Sequence, residues 1–513
     1  MDHFQSKLFD RINYERQIKV GTEHFKLKNL IELLQRLDDP HLKYPVIHVA
    51  GTKGKGSTST MIGSVLTASG RKTGVYTSPH LETIRQRIAI DGNWISNEAL
   101  EDVLSQIDPI VEEMDREPAS SLPIGPNQAT SVQNVHPASP YKNDAVLTTS
   151  TLPPQHSESE VTKRLTFFEI ITAAAMLHFA RQQCDAVVLE VGLGGRLDST
   201  NVCQPDVCVI TNISLDHTRQ LGSTVDKIAG EKAGIIKQSI PVVSGARHPD
   251  AAQVIEDVSK HQNAPLFVLE DHFNVEAPSN TSTSERANTF RWYGTINLNP
   301  DVTSPRSSES AAALPPPVQI DNLRLKMLGR HQRLNAALAI AVTQVLNQQQ
   351  WNITDDAIRR GLEAATLVGR TEVVQTSPTI IIDIAHNDAS IGAMLEALQN
   401  ELPEWESFTK RKIIFGTSKD KDCRRMLERI VPCFDELIAT EYLLNPRATK
   451  ASVIAETART IDQKGGNNTV ISICPTPETA WKAATESLQA NEFLCIAGSA
   501  FLVAEMAEFA RGH

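Results

Sequence analysis

The chain has 513 residues, 41% of them hydrophobic, and a formal net charge of -11. That length exceeds one compact domain and predicts at least two, and the acidic balance excludes a general affinity for nucleic acid or anionic lipid, which needs clustered basic surface. Seven scattered cysteines without a Cys-x-x-Cys pair fit neither a disulfide framework nor a thiolate zinc site, and with no apolar targeting segment or run of roughly 18 apolar residues the expected location is the cytoplasm.

Apolar residues from Phe25 to Leu37 recur at helical spacing and predict a helix. Val46-Ile47-His48-Val49-Ala50 reads as a strand that ends in a glycine-rich turn and leads into a helix over 57–69. From about 116 to 163 the composition turns to Ser, Pro, Asn and Gln, which predicts a surface insertion. Two further apolar runs follow, Ala186-Val187-Val188-Leu189 ending at Glu190 and Val207-Cys208-Val209-Ile210 ending at Thr211-Asn212. Both read as buried parallel strands with polar carboxyl ends. Ligands of open α/β sheets collect beyond such ends, so 51–57, Glu190 and Asp216-His217 are expected to converge on one crevice. A second insertion is expected over about 278–317, and apolar runs at 379–383, 412–416 and 493–498 then alternate with helical stretches. The expected fold is α/β: an N-terminal P-loop-type ATPase domain with a parallel sheet over 1–368, and a smaller Rossmann-like α/β domain over 372–513.

Gly51-Thr52-Lys53-Gly54-Lys55-Gly56-Ser57 supplies glycines that let backbone N–H groups approach phosphate oxygens, a lysine to neutralise them and hydroxyls at a helix start. Its spacing departs from the standard phosphate loop, and a glycine-rich turn alone can be a tight connection. Ser78, after a short strand, can reach the same phosphates or serve a turn. Glu190 at a buried strand end needs a metal, a basic partner or water, with an ion pair to Arg196 as the plainer alternative. Asp216-His217 offers a ligand or a hydrogen-bonded structural histidine, and Glu231-Lys232-Ala233-Gly234 reads as a charged helix end capped by glycine.

Taken together, these strings resemble the folylpolyglutamate synthase and dihydrofolate synthase family, relatives of the Mur ligases. The resemblance runs through His48 to Ser57, Tyr76-Thr77-Ser78-Pro79-His80-Leu81, Glu190 to Asn201, Leu215-Asp216-His217, Ala229 to Ile235, Leu328 to Asn335, Gly369-Arg370, Asp383-Ile384-Ala385-His386-Asn387, Asp420-Lys421-Asp422 and Pro446-Arg447-Ala448. Gln86 and Asp388 depart from its usual glutamate and proline, and Val368 stands where a proline often does.

The resemblance implies ATP-dependent ligation of L-glutamate to a folate through an acyl phosphate, with Mg²⁺ at two sites. It implies that Thr52, Lys53, Gly54, Lys55, Gly56 and Ser57 hold the ATP phosphates, with Asn335, Arg370 and Asp383 meeting the nucleotide. Ser78 and Glu190 would ligate one Mg²⁺, and His217 with a carbamylated Lys232 the second. Thr166, Phe167, Phe168, Glu169, Leu197, Asp198 and Ser199 would face the pterin, and His386 the glutamate or the transferred phosphate. Lys55, Lys232 and His386 are the expected catalytic residues, with a hinge near 368–372. A monomer acting on folate or dihydropteroate, L-glutamate and ATP is expected, without nucleic-acid or membrane partners. A Mur-type amino-acid ligase and a catalytically silent nucleotide-binding protein are the alternatives.

Overall fold

A computed structural model describes residues 3–9, 11, 27–116, 165–276, 289–298, 317–402 and 404–511. The first part of the chain forms α1 (His3–Phe9), α2 (Lys28–Arg36), β1 (Val46–Ala50), α3 (Lys55–Ala68), β2 (Thr73–Tyr76), β3 (Ile88–Ile90), β4 (Asn93–Trp94), α4 (Asn97–Arg116) and α5 (Phe167–Arg181). It continues with β5 (Ala186–Glu190), β6 (Val207–Ile210), α6 (Thr218–Leu221), α7 (Val225–Ala233), β7 (Val242–Ser244), α8 (Pro249–His261) and β8 (Leu266–Val268). Then come β9 (Phe273–Glu276), β10 (Thr289–Gly294), β11 (Val318–Arg324), α9 (Arg330–Gln348) and α10 (Asp355–Ala364). Of the helix expected over 25–37, α2 occupies Lys28–Arg36, and 25–26 lie outside the described residues.

The eight strands of the first sheet lie in the order β4-β3-β2-β5-β1-β6-β7-β8. From β2 to β8 neighbours are parallel, and β3 and β4 add an antiparallel edge. All five residues of β1 are buried, because layers cover both faces. Ile47 and Val49 pack with α3, α9 and α10 residues such as Ile62, Leu338 and Ile358, whereas Val46 packs with Leu33 of α2 and Phe179 of α5. A strand covered on both sides is apolar at nearly every position, which is why these runs carry no alternation; the buried exception in β1, His48, is hydrogen-bonded to Thr200.

The predicted insertion at about 116–163 lies outside the described residues, apart from Arg116 at the end of α4. The one placed at about 278–317 needs correcting, since β10 falls inside it. β10 pairs antiparallel with both β9 and β11, and its alternating burial points Phe290 and Trp292 at α9, where Trp292 Nε1 donates to the Ala337 carbonyl at 3.2 Å. A half-buried strand flanked by Ser-rich sequence reads as linker by composition.

The rest of the chain forms β12 (Glu372–Thr376), β13 (Thr379–Ile382), α11 (Asp388–Glu401), β14 (Arg411–Phe415), α12 (Cys423–Ile430), β15 (Glu436–Ala439), α13 (Ala451–Gly465), β16 (Val470–Ile473), α14 (Pro477–Thr485), β17 (Phe493–Ala497) and α15 (Ala500–Arg511). Its six-stranded sheet has the order β12-β13-β17-β14-β15-β16, antiparallel only at β12. Residues of α11, α12 and α13 cover one face, and those of α14 and α15 the other.

The two parts meet near the strand ends. Glu401 of α11 pairs with Arg333 of α9 at 2.8 Å and accepts from Gly329 N at 2.6 Å. Leu81 packs against the core that α15 covers. All seven cysteines are free; Cys423 and Cys433 are partly exposed and the other five buried, with burial pushing Cys203 and Cys208 up to about 12. Among the described residues no helix is long and apolar enough to cross a membrane.

Candidate functional site

Parallel register brings the polar strand ends together. Val49 lies opposite Glu190, and Ala50 opposite Ile210, so the turn after β1 runs between Glu190 and Thr211. Thr211 Oγ1 donates to the Lys53 carbonyl at 2.7 Å, and Thr52 N donates to the Asn212 carbonyl at 2.6 Å. The turn is therefore held from the β6 side, a contribution that its own sequence does not reveal. Gly54 sits at φ +89°, and a Cβ there would collide with the Asn335 side-chain oxygen. Glycine is required both for the left-handed backbone and for the approach of α9.

Two lysines enter this turn. Lys55 Nζ and Lys232 Nζ both donate to the Gly51 carbonyl, at 3.2 and 2.8 Å. Burial pushes the pKa of each down; Lys53 adds to this at Lys55 against Glu190, and Lys55 adds to it at Lys232 against Asp216. Lys232, 4% exposed, falls to about 7, so near neutral pH much of it is an uncharged amine. Lys53 turns outward to pair with Asp216 at 2.8 Å.

Glu190 is 4% exposed, and its Oε2 accepts from Ser78 N at 3.0 Å. Burial raises its pKa, opposed first by Lys55 and then by the Ser78 N–H, Arg370 and Arg87. A Cβ on Gly56 would stand 3.5 Å from Oε2, so the carboxylate borders the phosphate loop. The ion pair with Arg196 is not formed; Arg196 pairs instead with Glu231 at 2.9 Å. His217, in a left-handed conformation (φ 49°) just before α6, is largely exposed. Desolvation lowers its pKa, and Lys55 and Lys232 act in the same direction against Asp216.

The second sheet contributes Asp383 and His386. Asp383 Oδ2 accepts from Thr371 N at 2.7 Å and from Thr371 Oγ1 at 2.9 Å, while Oδ1 accepts from Ala385 N at 2.7 Å. Its carboxylate thus fixes the turn that carries the exposed Arg370. His386 Nδ1 lies 2.9 Å from the Ile384 carbonyl. A carbonyl only accepts, so Nδ1 carries the proton and the neutral ring presents Nε2 as an acceptor. Burial lowers its pKa, Ile384 opposes, and Lys53, Lys421 and Arg370 add to the lowering.

The expected pterin segment divides into structural and accessible residues. Thr166 and Glu169 form a reciprocal capping box at the start of α5, with Thr166 N donating to Glu169 Oε2 at 2.8 Å. Phe167 is fully buried, stacked on Phe9 and under Arg87. Phe168 remains half-buried over Gly192, where a Cβ would strike its ring, and lies 6.2 Å from Tyr76. Asp198 accepts from Leu193 N at 2.9 Å and Thr200 Oγ1 at 2.6 Å. It braces the 193–200 loop from inside; Ser199 is likewise buried and Leu197 half-buried.

Arg87 was not anticipated as a site residue. It is wholly buried, donates to His80 Nδ1 at 2.8 Å and acts electrostatically on Glu190. Its signal was an arginine set directly before the apolar run Ile88-Ala89-Ile90.

Among the described residues no three His, Cys, Asp or Glu side chains cluster to hold a metal ion. Mg²⁺ that arrives with nucleotide phosphates needs only one or two protein oxygens, and Glu190 beside Gly56 fits that smaller requirement.

Residues 141–343 match the Mur ligase middle domain and 369–500 the Mur ligase glutamate ligase domain. The chain is 30% identical over 486 residues to the dihydrofolate synthase/folylpolyglutamate synthase of Bacillus subtilis, covering 94% of each. It superimposes on Mycobacterium tuberculosis folylpolyglutamate synthase complexed with ADP and AMPPCP with a TM-score of 0.73, at 27% identity over 99% of this chain and 97% of that one. Escherichia coli FolC in complex with DHPP and ADP gives 0.69 at 26% identity, covering 99% and 97%. With this coverage and these strand-end residues, the chain belongs to the dihydrofolate synthase/folylpolyglutamate synthase family of Mur-type ligases.

Proposed function

We propose that the chain is an ATP-dependent ligase that joins L-glutamate to folates through an acyl-phosphate intermediate. The observation that carries this reading is the meeting of Lys55 and Lys232 on the Gly51 carbonyl, beside a glycine-rich turn at the start of α3 and a buried carboxylate. Attack of a folate carboxylate on the γ-phosphate brings negative charges together, and the phosphate-loop N–H groups and Lys55 offset that repulsion. Thr52 to Ser57, Asn335 and Arg370 border the nucleotide, and Asp383 contributes through the Thr371 turn that it holds.

Ser78 and Glu190 would hold one Mg²⁺, and His217 with Lys232 a second, provided Lys232 takes up CO₂ as a carbamate. The depressed pKa of Lys232 supports that step, because only the neutral amine reacts. Bound there, Mg²⁺ supplies charge neutralisation for phosphoryl transfer. The glutamate amine then attacks the acyl carbon, phosphate leaves, and in this reading His386 Nε2 accepts the amine proton, its neutral acceptor form supported by the Nδ1 bond to the Ile384 carbonyl. Phe168 over Gly192 with Leu197 offers the pterin an apolar surface. In this reading the catalytic halves divide at 368–372, water is excluded when they close, and the enzyme works as a cytoplasmic monomer.

Conversion of dihydropteroate is a second reading, favoured by the double name of the Bacillus subtilis relative. The test is ATP turnover with Mg²⁺ and glutamate, offering tetrahydrofolate or dihydropteroate and weighing products by mass. Product from both establishes a bifunctional enzyme, from tetrahydrofolate alone a polyglutamate synthase, and from dihydropteroate alone a dihydrofolate synthase. Product from neither overturns the folate reading.

A further inference from the structure

Two segments that border the site end on one side chain. Arg511, in the last turn of α15, donates to Glu82 Oε1 at 2.7 Å and to the two carboxylate oxygens of Glu372 at 3.1 and 3.2 Å. The three side chains are only 25%, 23% and 24% exposed. A single exposed ion pair contributes little. Here one planar guanidinium holds two carboxylates that would otherwise repel each other.

Both glutamates belong to segments that border the site. Glu372 Oε2 also accepts from Gly369 N at 2.8 Å, and Gly369 O accepts from Ile384 N at 2.9 Å. Glu372 therefore fixes the turn that carries Arg370. Glu82 belongs to the segment in which Ser78 N binds Glu190. That segment is internally braced, because Leu81 N and Glu82 N both donate to Gln86 Oε1, at 2.8 and 3.0 Å.

We propose that Arg511 is a positioning residue that sets the Ser78 segment against the Arg370 turn, so that Glu190 and Arg370 are presented to one nucleotide. Its consequence for turnover rests on the function proposed above; its geometric content does not. Without the guanidinium, Glu82 and Glu372 push the two segments apart, and both open more readily than in the wild-type chain.

The test uses the full chain with Arg511→Gln, Arg511→Lys and Glu82→Gln, followed by hydrogen–deuterium exchange with and without ADP and by ATP kinetics at varied Mg²⁺. For Arg511→Gln we expect faster exchange in 77–87 and 367–373 with no change in α8. We also expect kcat/KM for ATP to fall about tenfold to a hundredfold, the scale of a misplacement near one ångström. Arg511→Lys recovers part of both, and Glu82→Gln loosens 77–87 more than 367–373. Wild-type exchange in both segments of Arg511→Gln overturns the proposal, and should that variant not fold, wild-type exchange in Glu82→Gln does the same. If the wild-type enzyme turns over no folate, the functional reading falls while the exchange measurements still decide the role of Arg511.

Discussion

Lys55 and Lys232 donate to the same oxygen, the Gly51 carbonyl, from opposite sides of the first sheet's strand ends. Two ammonium groups at one buried acceptor raise each other's cost of charging, on top of the cost of burial itself. The site thus keeps one lysine available as a neutral amine.

This makes the stability contribution of Lys232 depend on pH. Its folded pKa is about 7 against an ordinary 10.5. The unfolded chain binds the extra proton between those values, so stability rises with pH across that window, and the full penalty applies below about pH 7. Lys232→Met should therefore gain most stability relative to wild type near pH 6 and lose that advantage by about pH 10. Urea unfolding at several pH values checks this, and ligation should fall by a hundredfold or more in the same variant.

Gly54→Ala places a side chain at φ +89° and into Asn335. Strain of this kind costs about 1 to 3 kcal/mol, and the turn proposed to receive phosphate is displaced with it. ADP affinity measured by calorimetry should fall more steeply than the unfolding free energy. A variant that binds ADP like wild type would remove Gly54 from the site.

Thr166 and Phe168 should separate cleanly. Thr166→Ala loses a capping box, about 1 kcal/mol of stability, and should leave the folate KM within twofold. Phe168→Ala should raise the folate KM while leaving that for ATP unchanged. The reverse pattern would make the cap, not the ring, the pterin contact.

Thr200→Val interrupts a buried chain. Thr200 Oγ1 donates to Asp198 at 2.6 Å, so His48 Nε2, 2.8 Å away, must donate to Thr200. Burial holds His48 down to about 3, with Lys237 acting in the same direction, and the ring is neutral at all working pH values. Stranding both partners should cost about 1 to 3 kcal/mol and raise the folate KM through the 193–200 loop. Unchanged unfolding in urea would contradict the chain.

The parallel strands were legible because burial on both faces demands unbroken apolar runs, and their polar termini marked the crevice. The tight strand-to-helix turn at 51–57 was legible from its glycines, of which Gly54 does take a left-handed backbone. Other roles were less so. Thr166-Phe167-Phe168-Glu169 contains the Thr-x-x-Glu spacing of a capping box, a local signal that the family resemblance overshadowed. Asp383 marks a strand end in sequence, but its use on Thr371 depends on the backbone turning back across twelve residues. Arg196 lies near Glu190 in sequence yet bonds Glu231 of α7, a pairing set by tertiary packing. Strand β10 hid within sequence that composition alone marks as linker.

The uneven burial of the thiols has a practical use. Cys423 begins α12 and Cys433 follows it, and both are partly exposed on the second sheet's helical layer. Burial lifts Cys423 to about 11 and raises Cys433 as well. Maleimide coupling should accordingly be slow at neutral pH and accelerate in mild alkali, with dye confined to the 423–433 region. An optical distance reporter for movement of that half then requires one engineered cysteine on α8 and no removal of the native buried ones.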